Sequence, residues 1–164
     1  MERRISGHTG LMALFGSPVG HSGSPAMYNY SFQKLGLDYA YVAIDMEEEQ
    51  MEEALKAMKL FHMKGGNVTM PCKRAAARFA DRLSPAARLT GAVNTLVNED
   101  GVLVGHMTDG EGFVDNLKDH GVDIRGKRLV IAGSGGAGTA IQVQCALSGA
   151  AAVHICNRKF GSSY

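Results

Sequence analysis

The sequence lacks tryptophan, has only three cysteines and contains no apolar run near the roughly 18 residues of a membrane span. Cys72, Cys145 and Cys156 are too scattered for a disulfide framework or a zinc site, so we expect a reduced, cytoplasmic protein without a bound metal. An excess of charge of one sign is also missing. The formal net charge of +1 gives no reason to expect nucleic acid or an acidic membrane as a partner. No long apolar segment follows the N-terminus, which argues against a secretory signal.

Glycine, by contrast, is abundant, with 21 residues among 164. Glycine permits sharp turns between strands and helices, which is where phosphates and small ligands bind. Apolar residues make up 45% of the chain and charged residues 20%, as in ordinary globular proteins. The length suits one ordinary domain or two small ones.

The first candidate binding feature is a helix N-terminus that follows a buried strand. The apolar run Thr9–Phe15 predicts the strand, and Ser24 before Pro25 predicts the helix, with Ser24 as its N-cap and Gly36 at its end. Ser22, Ser24 and the free backbone N–H groups there can bind a carboxylate. The alternative is that the two serines only cap the helix.

Apolar periodicity and turn residues predict the other elements before residue 125. They are strands over 39–44, 91–96 and 102–105, a hairpin turn at Asp100-Gly101, and helices over 47–59, 74–82, 110–120 and from Pro85. Met51, Leu55 and Met58 form one stripe of the second helix, and we interpret them as core residues.

The stretch from Gly65 to Lys73 predicts a strand that turns at once into a helix. Pro71 suits the first helical position, which places Lys73 in the first turn. The positive end of the helix dipole disfavours an ammonium group there, so Lys73 is a candidate proton acceptor. The alternative is a solvated surface lysine.

Two further polar residues are candidates for ligand contact. Asn94 is flanked by apolar residues, so it either anchors a backbone turn or touches a ligand. Thr108 and Glu111 have the spacing of a capping box, and Asp109 falls in the first helical turn. The dipole stabilises a carboxylate at that position, which is a structural explanation for Asp109. The functional alternative is that Asp109 faces Lys73 across a cleft.

A glycine-rich turn follows a boundary at Arg125–Lys127. The apolar strand 128–132 runs into Gly133, Gly135 and Gly138, and a helix is predicted from about 137 to 148. This G-x-G-x-x-G spacing between a strand and a helix is the dinucleotide-binding fingerprint. No Gly-Lys-Ser/Thr follows it, which excludes a P-loop.

The next predicted strand, 152–156, ends in Asn157-Arg158-Lys159. An acidic residue here would hold the ribose diol of NAD, but the position is Asn. Arg158 can pair with a 2′-phosphate, so the pattern favours NADP while leaving NAD open.

Together these motifs resemble the shikimate dehydrogenase family, especially its shikimate/quinate dehydrogenase branch. The resemblance rests on the motifs His21-Ser22-Gly23-Ser24-Pro25, Asn67–Lys73, Gly91–Thr95, Thr108-Asp109-Gly110, the glycine loop 133–138 and Asn157-Arg158. The resemblance implies NAD(P)-dependent, reversible oxidation of a ring hydroxyl of shikimate or quinate to a ketone. That reaction belongs to aromatic amino-acid biosynthesis or to quinate use, and a homodimer is possible.

The resemblance also implies a role for each matching residue. Ser22 and Ser24 would bind the substrate carboxylate. The ring hydroxyls would be held by Asn67, Thr69, Asn94 and Asp109. Lys73 and Asp109 would be the catalytic pair, with Lys73 taking the hydroxyl proton during oxidation. The dinucleotide would be held by Gly133, Ser134, Gly135, Gly136, Ala137, Gly138, Asn157, Arg158 and Lys159.

The expected fold is α/β. An open mixed α/β substrate domain over 1–110 is followed by a connecting helix and linker over 111–125, and by the first β-α-β unit of a Rossmann nucleotide-binding domain over 126–164. Family members are longer, so we expect the chain to be truncated within that last domain. One β-α-β unit cannot cover both faces of its sheet. The alternative function is therefore a catalytically silent, substrate-binding fragment.

Overall fold

A computed structural model describes residues 5–157, so Arg158 and Lys159 lie outside the described residues. The chain divides into two compact units. The first contains the described residues up to Ser84 together with Gly91–His106, and the second contains Pro85–Thr90 together with the residues from Met107 onward. The division into a substrate domain, a connection and a nucleotide domain stays a prediction.

The first unit is built on one six-stranded sheet. Its strands are β1 (Gly10–Gly16), β2 (Tyr39–Asp45), β3 (Gly65–Val68), β4 (Arg82–Leu83), β5 (Thr95–Glu99) and β6 (Val102–His106), in the order β2-β1-β3-β5-β6-β4. β1 is parallel to β2 and β3, whereas β5 is antiparallel to β3 and β6. The predicted open mixed α/β architecture is confirmed.

Three helices of this unit are α1 (Ser24–Leu35), α2 (Met51–Leu60), which follows a 3-10 turn at Glu48–Gln50, and α3 (Lys73–Phe79). One core cluster joins α1 to the sheet through Leu14, Val19, Phe32 and Tyr41. α2 buries the predicted apolar stripe, since Met51, Leu55 and Met58 are at most 3% exposed. Burial of these side chains accounts for the helix packing.

Two predicted elements between residues 74 and 96 are wrong. The helix stops at Phe79 because Arg82 and Leu83 pair with Val104 and Gly105 of β6. Residues 91–94 are not strand. Gly91 has a φ of 62°, and Val93 donates its backbone N–H to the carbonyl of Lys73, outside the sheet. The hairpin at Asp100-Gly101 is confirmed, with φ values of 51° and 92°.

The second unit contains α4 (Pro85–Thr90), α5 (Asp109–Asp119), β7 (Arg128–Ala132), α6 (Gly136–Leu147) and β8 (Ala152–Cys156). β7 and β8 pair in parallel, so the predicted β-α-β unit is confirmed. Its core is formed by Val114, Ile124 and Cys145, with Leu129, Ile131 and Val153 packed against them. Leu129, Ile131 and Val153 pack on the core side of the strands, as alternation along a strand allows.

One face of the β7–β8 sheet is uncovered among the described residues. Val130 is 71% exposed, and its partner in register, His154, is exposed as well. His154 instead contacts Arg128 through its Nε2 atom at 3.2 Å. The expectation that one β-α-β unit leaves sheet surface bare is confirmed for this part of the chain.

None of the helices within residues 5–157 has the length and apolar character that crossing a bilayer requires.

Candidate active site

Three segments of the first unit meet at one edge of its sheet. β1 and β3 are parallel and end at Gly16 and Val68, and the antiparallel β5 begins at Thr95 beside them. The residues after β1 and β3 are joined directly, because Ser17 donates its backbone N–H to the carbonyl of Met70 at 2.9 Å. Ligands of open α/β sheets bind outside the carboxyl ends of the strands, so this edge is the expected place for a site.

The segment after β1 carries Ser22 and Ser24 to the start of α1. The predicted cap is wrong in detail, because Gly23 is the N-cap and its conformation is helical. Ser24 is the first helical residue, and the Ser22 Oγ accepts its backbone N–H at 3.2 Å. Both serines are half-buried. Two hydroxyls therefore lie at the positive end of a 12-residue helix, an arrangement that suits a carboxylate.

The segment after β3 leads to Lys73 through a tight turn. The Thr69 N–H donates to the carbonyl of Phe15 at 2.8 Å, and the Thr69 carbonyl accepts the N–H of Cys72 at 2.9 Å. A side chain on Gly16 would collide with the Thr69 methyl group, so glycine permits this close approach. Thr69 and Lys73 are both half-buried.

Pro71 is not the first helical residue, since α3 begins two residues later, at Lys73. Pro71 lies in the turn, where its neighbour Cys72 points into the core. The Cys72 thiol is fully buried, is 3.5 Å from the carbonyl of Met46, and has its pKa raised by that burial. The turn therefore buries one side of residues 69–73 and starts the helix with Lys73.

The segment before β5 is fixed by backbone hydrogen bonds on both sides of Asn94. Val93 donates its N–H to the carbonyl of Lys73 at 2.9 Å, and Asn94 donates its N–H to His106 at 2.9 Å. The Asn94 carbonyl accepts the N–H of Val68 at 2.8 Å. Asn94 is only 9% exposed. Its backbone is thus an anchor, while contact of its side chain with a ligand stays a prediction.

Asn67, in β3, makes its contacts within the first unit. Its Oδ1 accepts the hydroxyl of Tyr41 at 2.8 Å. Its Nδ2 lies 3.3 Å from the Thr95 Oγ1 and 3.5 Å from the Asn94 carbonyl. Sequence reasoning missed Tyr41, because nothing in a strand of alternating aromatic and apolar residues marks one hydroxyl as a partner of Asn67.

Asp109 belongs to the second unit, where it is the first residue of α5 and is half-buried. The predicted capping box is wrong, because Thr108 is the N-cap but its side chain makes no capping hydrogen bond. Gly110 packs so tightly that a Cβ there would collide with the carbonyl of Ala140 in α6. α5 is thereby seated on α6. The pairing of Asp109 with Lys73 stays a prediction.

The glycine loop connects β7 to α6 in the second unit. Gly133 has a φ of 104°, and Gly135 is the N-cap of α6. A Cβ on Gly138 would lie 2.7 Å from the carbonyl of Gly133, so this turn requires glycine there. Gly135, Gly136 and Ala137 are exposed at the helix N-terminus. Exposed backbone N–H groups at the positive end of a helix fit the pyrophosphate of a dinucleotide.

A second contact that sequence reasoning missed joins this loop to the end of β8. The Asn157 Nδ2 donates to the Ser134 Oγ at 2.6 Å, and Ser134 is only 6% exposed. The Gln142 Nε2 donates to the carbonyl of Gly133 at 3.0 Å. The glycine loop is thus held by Gln142 of α6 and by Asn157, the residue at the position predicted to face the ribose.

No group of three or more His, Cys, Asp or Glu side chains in residues 5–157 is placed to hold a metal ion.

The family model for the shikimate dehydrogenase substrate binding domain matches residues 14–96, which is about half of the chain. The chain belongs to the shikimate dehydrogenase family. The matched residues include Ser22, Ser24, Asn67, Lys73 and Asn94, whereas Asp109 and the glycine loop lie beyond the match.

Relatives extend the similarity over nearly all of this family member. A shikimate dehydrogenase (NADP(+)) of Listeria monocytogenes is 49% identical over 97% of this chain and 55% of its own length. A solved Listeria monocytogenes shikimate 5-dehydrogenase, in complex with shikimate and NAD, is 47% identical with a TM-score of 0.94, over 98% of this chain and 56% of the other. A ligand-free 5-ketofructose reductase of a Gluconobacter strain is 37% identical with a TM-score of 0.89, over 94% and 55%. The chain thus spans about half the length of the relatives it matches.

Proposed function

We propose that the protein is a shikimate dehydrogenase, which reversibly oxidises a ring hydroxyl of shikimate to the ketone with NADP⁺. The observation that supports the proposal is that the segments containing Ser22, Ser24, Thr69, Lys73 and Asn94 adjoin strand ends at one edge of the sheet. These are the residue types that a hydroxylated ring acid requires. The Listeria relatives, one named as a shikimate dehydrogenase (NADP(+)) and one solved with shikimate, support this choice of substrate.

The substrate carboxylate would be bound at the start of α1. Ser22 and Ser24 supply hydroxyl donors there, and the helix N-terminus adds its partial positive charge. The ring hydroxyls would be bound by Thr69 and Asn94, whose backbones are fixed by the bonds to Phe15, Val68 and His106. A fixed backbone keeps these side chains oriented before substrate arrives, which reduces the entropy cost of binding.

Lys73 and Asp109 would perform the acid–base chemistry. During oxidation the Lys73 Nζ accepts the proton of the reacting hydroxyl, and during reduction it returns a proton to the ketone oxygen. The Asp109 carboxylate would accept a hydrogen bond from the same hydroxyl and orient it. Lys73 is well suited because it is half-buried and begins a helix, with its carbonyl bonded to Val93.

The cofactor would be held by the glycine loop and by the end of β8. Gly133, Gly135, Gly136 and Gly138 leave room for a pyrophosphate at the N-terminus of α6, and Ser134 and Asn157 line the adjoining position. Arg158 and Lys159, outside the described residues, would pair with the 2′-phosphate of NADP. The bound nicotinamide supplies the hydride chemistry. NAD is the alternative cofactor, and quinate the alternative substrate.

We also propose that the protein acts in the reducing cytoplasm, where its free cysteines, Cys72, Cys145 and Cys156, would stay reduced. We propose a homodimer as its assembly, and the molar mass of the protein in solution tests this.

One observation favours a second candidate, a protein that binds shikimate without turning it over. Within residues 5–157, Val130 on one face of the β7–β8 sheet is 71% exposed, so that face of the proposed dinucleotide-binding unit is open to solvent in the described part of the chain. In that case the site of the first unit would bind shikimate, and hydride transfer would be absent.

The deciding experiment mixes the purified chain with shikimate and NADP⁺ and follows the absorbance of reduced nicotinamide. A melting curve with shikimate alone is recorded in parallel. Turnover supports the dehydrogenase, and a raised melting temperature without turnover supports the second candidate. No turnover and no shift, in a folded protein, contradicts both. Quinate and NAD⁺ in the same assays decide the remaining choices.

A further inference from the structure

Tyr41 reaches across the sheet from its edge strand to the candidate site. Its ring is buried, at 2% exposed, and stacks on Tyr28 of α1 with centroids 4.4 Å apart and an interplanar angle of 12°. The Asn29 side chain of α1 binds the Tyr41 backbone on both sides, accepting its N–H at 2.9 Å and donating to its carbonyl at 2.8 Å. Ring and backbone are therefore both fixed, and the hydroxyl has one defined position.

That hydroxyl donates to Asn67 Oδ1 at 2.8 Å, across the intervening strand β1. Burial raises the pKa of Tyr41 well above its ordinary value, so the hydroxyl keeps its proton at any physiological pH. An amide whose oxygen accepts from Tyr41 must turn its nitrogen the other way. The Nδ2 of Asn67 consequently points at the Asn94 carbonyl and the Thr95 hydroxyl.

We propose that Tyr41 and Asn67 are positioning residues, which hold the Asn94–Thr95 segment in place for substrate binding. The proposal rests on the proposed function, in which Asn94 contacts a ring hydroxyl. It assigns the amide of Asn67 to contacts within the chain, and it gives Tyr41 a role that acts through Asn67 and Asn94 without touching substrate.

The hydroxyl of Tyr41 acts by excluding one orientation of an amide. Without that donor, the Asn67 amide loses the hydrogen bond that fixes its oxygen, and its contacts with the Asn94 carbonyl and the Thr95 hydroxyl are held less firmly. The Val68 N–H still donates to the Asn94 carbonyl in that case. Loss of one neutral hydrogen bond corresponds to a change of roughly two- to tenfold in an equilibrium constant, so we expect an effect of that size on shikimate binding.

The test is a double-mutant cycle with shikimate affinity measured by calorimetry. Tyr41→Phe keeps the stacked ring and removes only the hydroxyl, and Asn67→Ala removes the amide. Tyr39→Phe is the matched control, because Tyr39 lies on the same strand, is half-buried and packs edge-on against Phe32. We expect Tyr41→Phe to weaken binding about two- to tenfold, Tyr39→Phe to leave it unchanged, and Tyr41→Phe to add nothing in the Asn67→Ala background.

Two results would overturn the proposal: unchanged affinity in Tyr41→Phe, or equal losses from Tyr41→Phe in both backgrounds. Amide hydrogen exchange in the ligand-free chain distinguishes failure of the positioning proposal from failure of the proposed function. Faster exchange at the Val68 and Asn94 N–H groups in Tyr41→Phe, but not in Tyr39→Phe, supports the positioning role even if the parent chain binds no shikimate. Unchanged exchange at those two groups contradicts it.

Discussion

The backbone N–H of Val93 donates to the carbonyl of Lys73 at 2.9 Å. This bond ties the first residue of α3 to the loop that precedes β5. Because Asn94 follows Val93 directly and is itself bonded to Val68 and His106, the proposed base and the proposed hydroxyl ligand share one backbone framework. The backbone of the proposed site in the first unit is therefore fixed by hydrogen bonds within the chain.

Replacing Lys73 tests the catalytic assignment. We expect Lys73→Ala to lower the rate of NADP⁺ reduction by shikimate by about a hundredfold to ten-thousandfold, which is the usual contribution of a general acid–base residue. Lys64→Ala is the control, because Lys64 is an exposed lysine just before β3. Comparable rates in the two variants would mean that Lys73 is not the base.

Replacing one glycine of the turn after β7 tests the cofactor site. Gly138→Ala would put a methyl group 2.7 Å from the carbonyl of Gly133, so the turn must shift. We expect NADP⁺ binding, measured by calorimetry, to weaken at least about tenfold, the equivalent of roughly 1.4 kcal/mol.

Gly112→Ala is the control for that variant. Gly112 lies within α5, and an added Cβ there meets nothing within 4 Å. Unchanged affinity in Gly138→Ala would show that the loop is not the cofactor site, and equal weakening in both variants would show a general loss of structure.

Asp81 predicts a pH-dependent contribution to stability. Its carboxylate accepts hydrogen bonds from the Lys59 ammonium and from the Leu103 N–H, each at 2.7 Å, and these bonds lower the pKa of Asp81. A lowered folded-state pKa adds stability that is present above the unfolded-state pKa near 4 and is lost as the pH falls through the folded-state value. Asp81→Asn should thus reduce the free energy of unfolding at pH 7 by about 1 kcal/mol, allowing for solvent screening.

Urea unfolding at neutral and at acidic pH measures that difference. We expect the difference in the free energy of unfolding between Asp81→Asn and the parent to become smaller as the pH falls below about 4. Asp119→Asn changes an exposed carboxylate of α5 and serves as the control. A gap that stays constant with pH would contradict the assigned role of the Asp81 carboxylate.

The core under α2 gives a prediction that is independent of function. Leu55 is 3% exposed, whereas Leu60, on the same helix, is 73% exposed. Leu55→Ala should lower the free energy of unfolding by about 2–5 kcal/mol, because it removes buried apolar surface and leaves a cavity. Leu60→Ala should change it by less than about 0.5 kcal/mol in the same urea titration. Similar losses would mean that α2 packs by another face.

Local sequence signals predicted the strands and helices that are bounded by clear turn residues. The strands at 128–132 and 152–156 match β7 and β8, because each is an apolar run with a defined break beside it. The predicted helix over 74–82 ran too far, since its Ala- and Arg-rich sequence favours helix throughout. Pairing of Arg82 and Leu83 with β6 overrides that propensity, and this partner lies about twenty residues away in the chain.

In the candidate site, too, local features could be predicted from the sequence, whereas contacts between distant residues could not. Motifs indicated Lys73, Asn94 and the glycine loop, because their residue types and spacing are local features. The bond from Tyr41 to Asn67 spans 26 residues and the bond from Asn157 to Ser134 spans 23, so only the folded sheet brings these partners together. Thr108 is the N-cap as predicted, but its capping box and the Ser24 cap are absent, since a side-chain cap depends on geometry that the residue type permits without requiring.

The most direct test of the account is calorimetric titration of the chain and its Asn94→Ala variant with shikimate. Asn98→Ala is the matched control, because Asn98 also holds backbone groups of the first unit, the carbonyl of Met63 and the N–H of Gly101. We predict saturable binding by the parent and by Asn98→Ala, and binding weakened at least about tenfold, or roughly 1.4 kcal/mol, in Asn94→Ala. A folded parent chain that gives no binding heat, or an Asn94→Ala variant that binds as tightly as the parent, would contradict it.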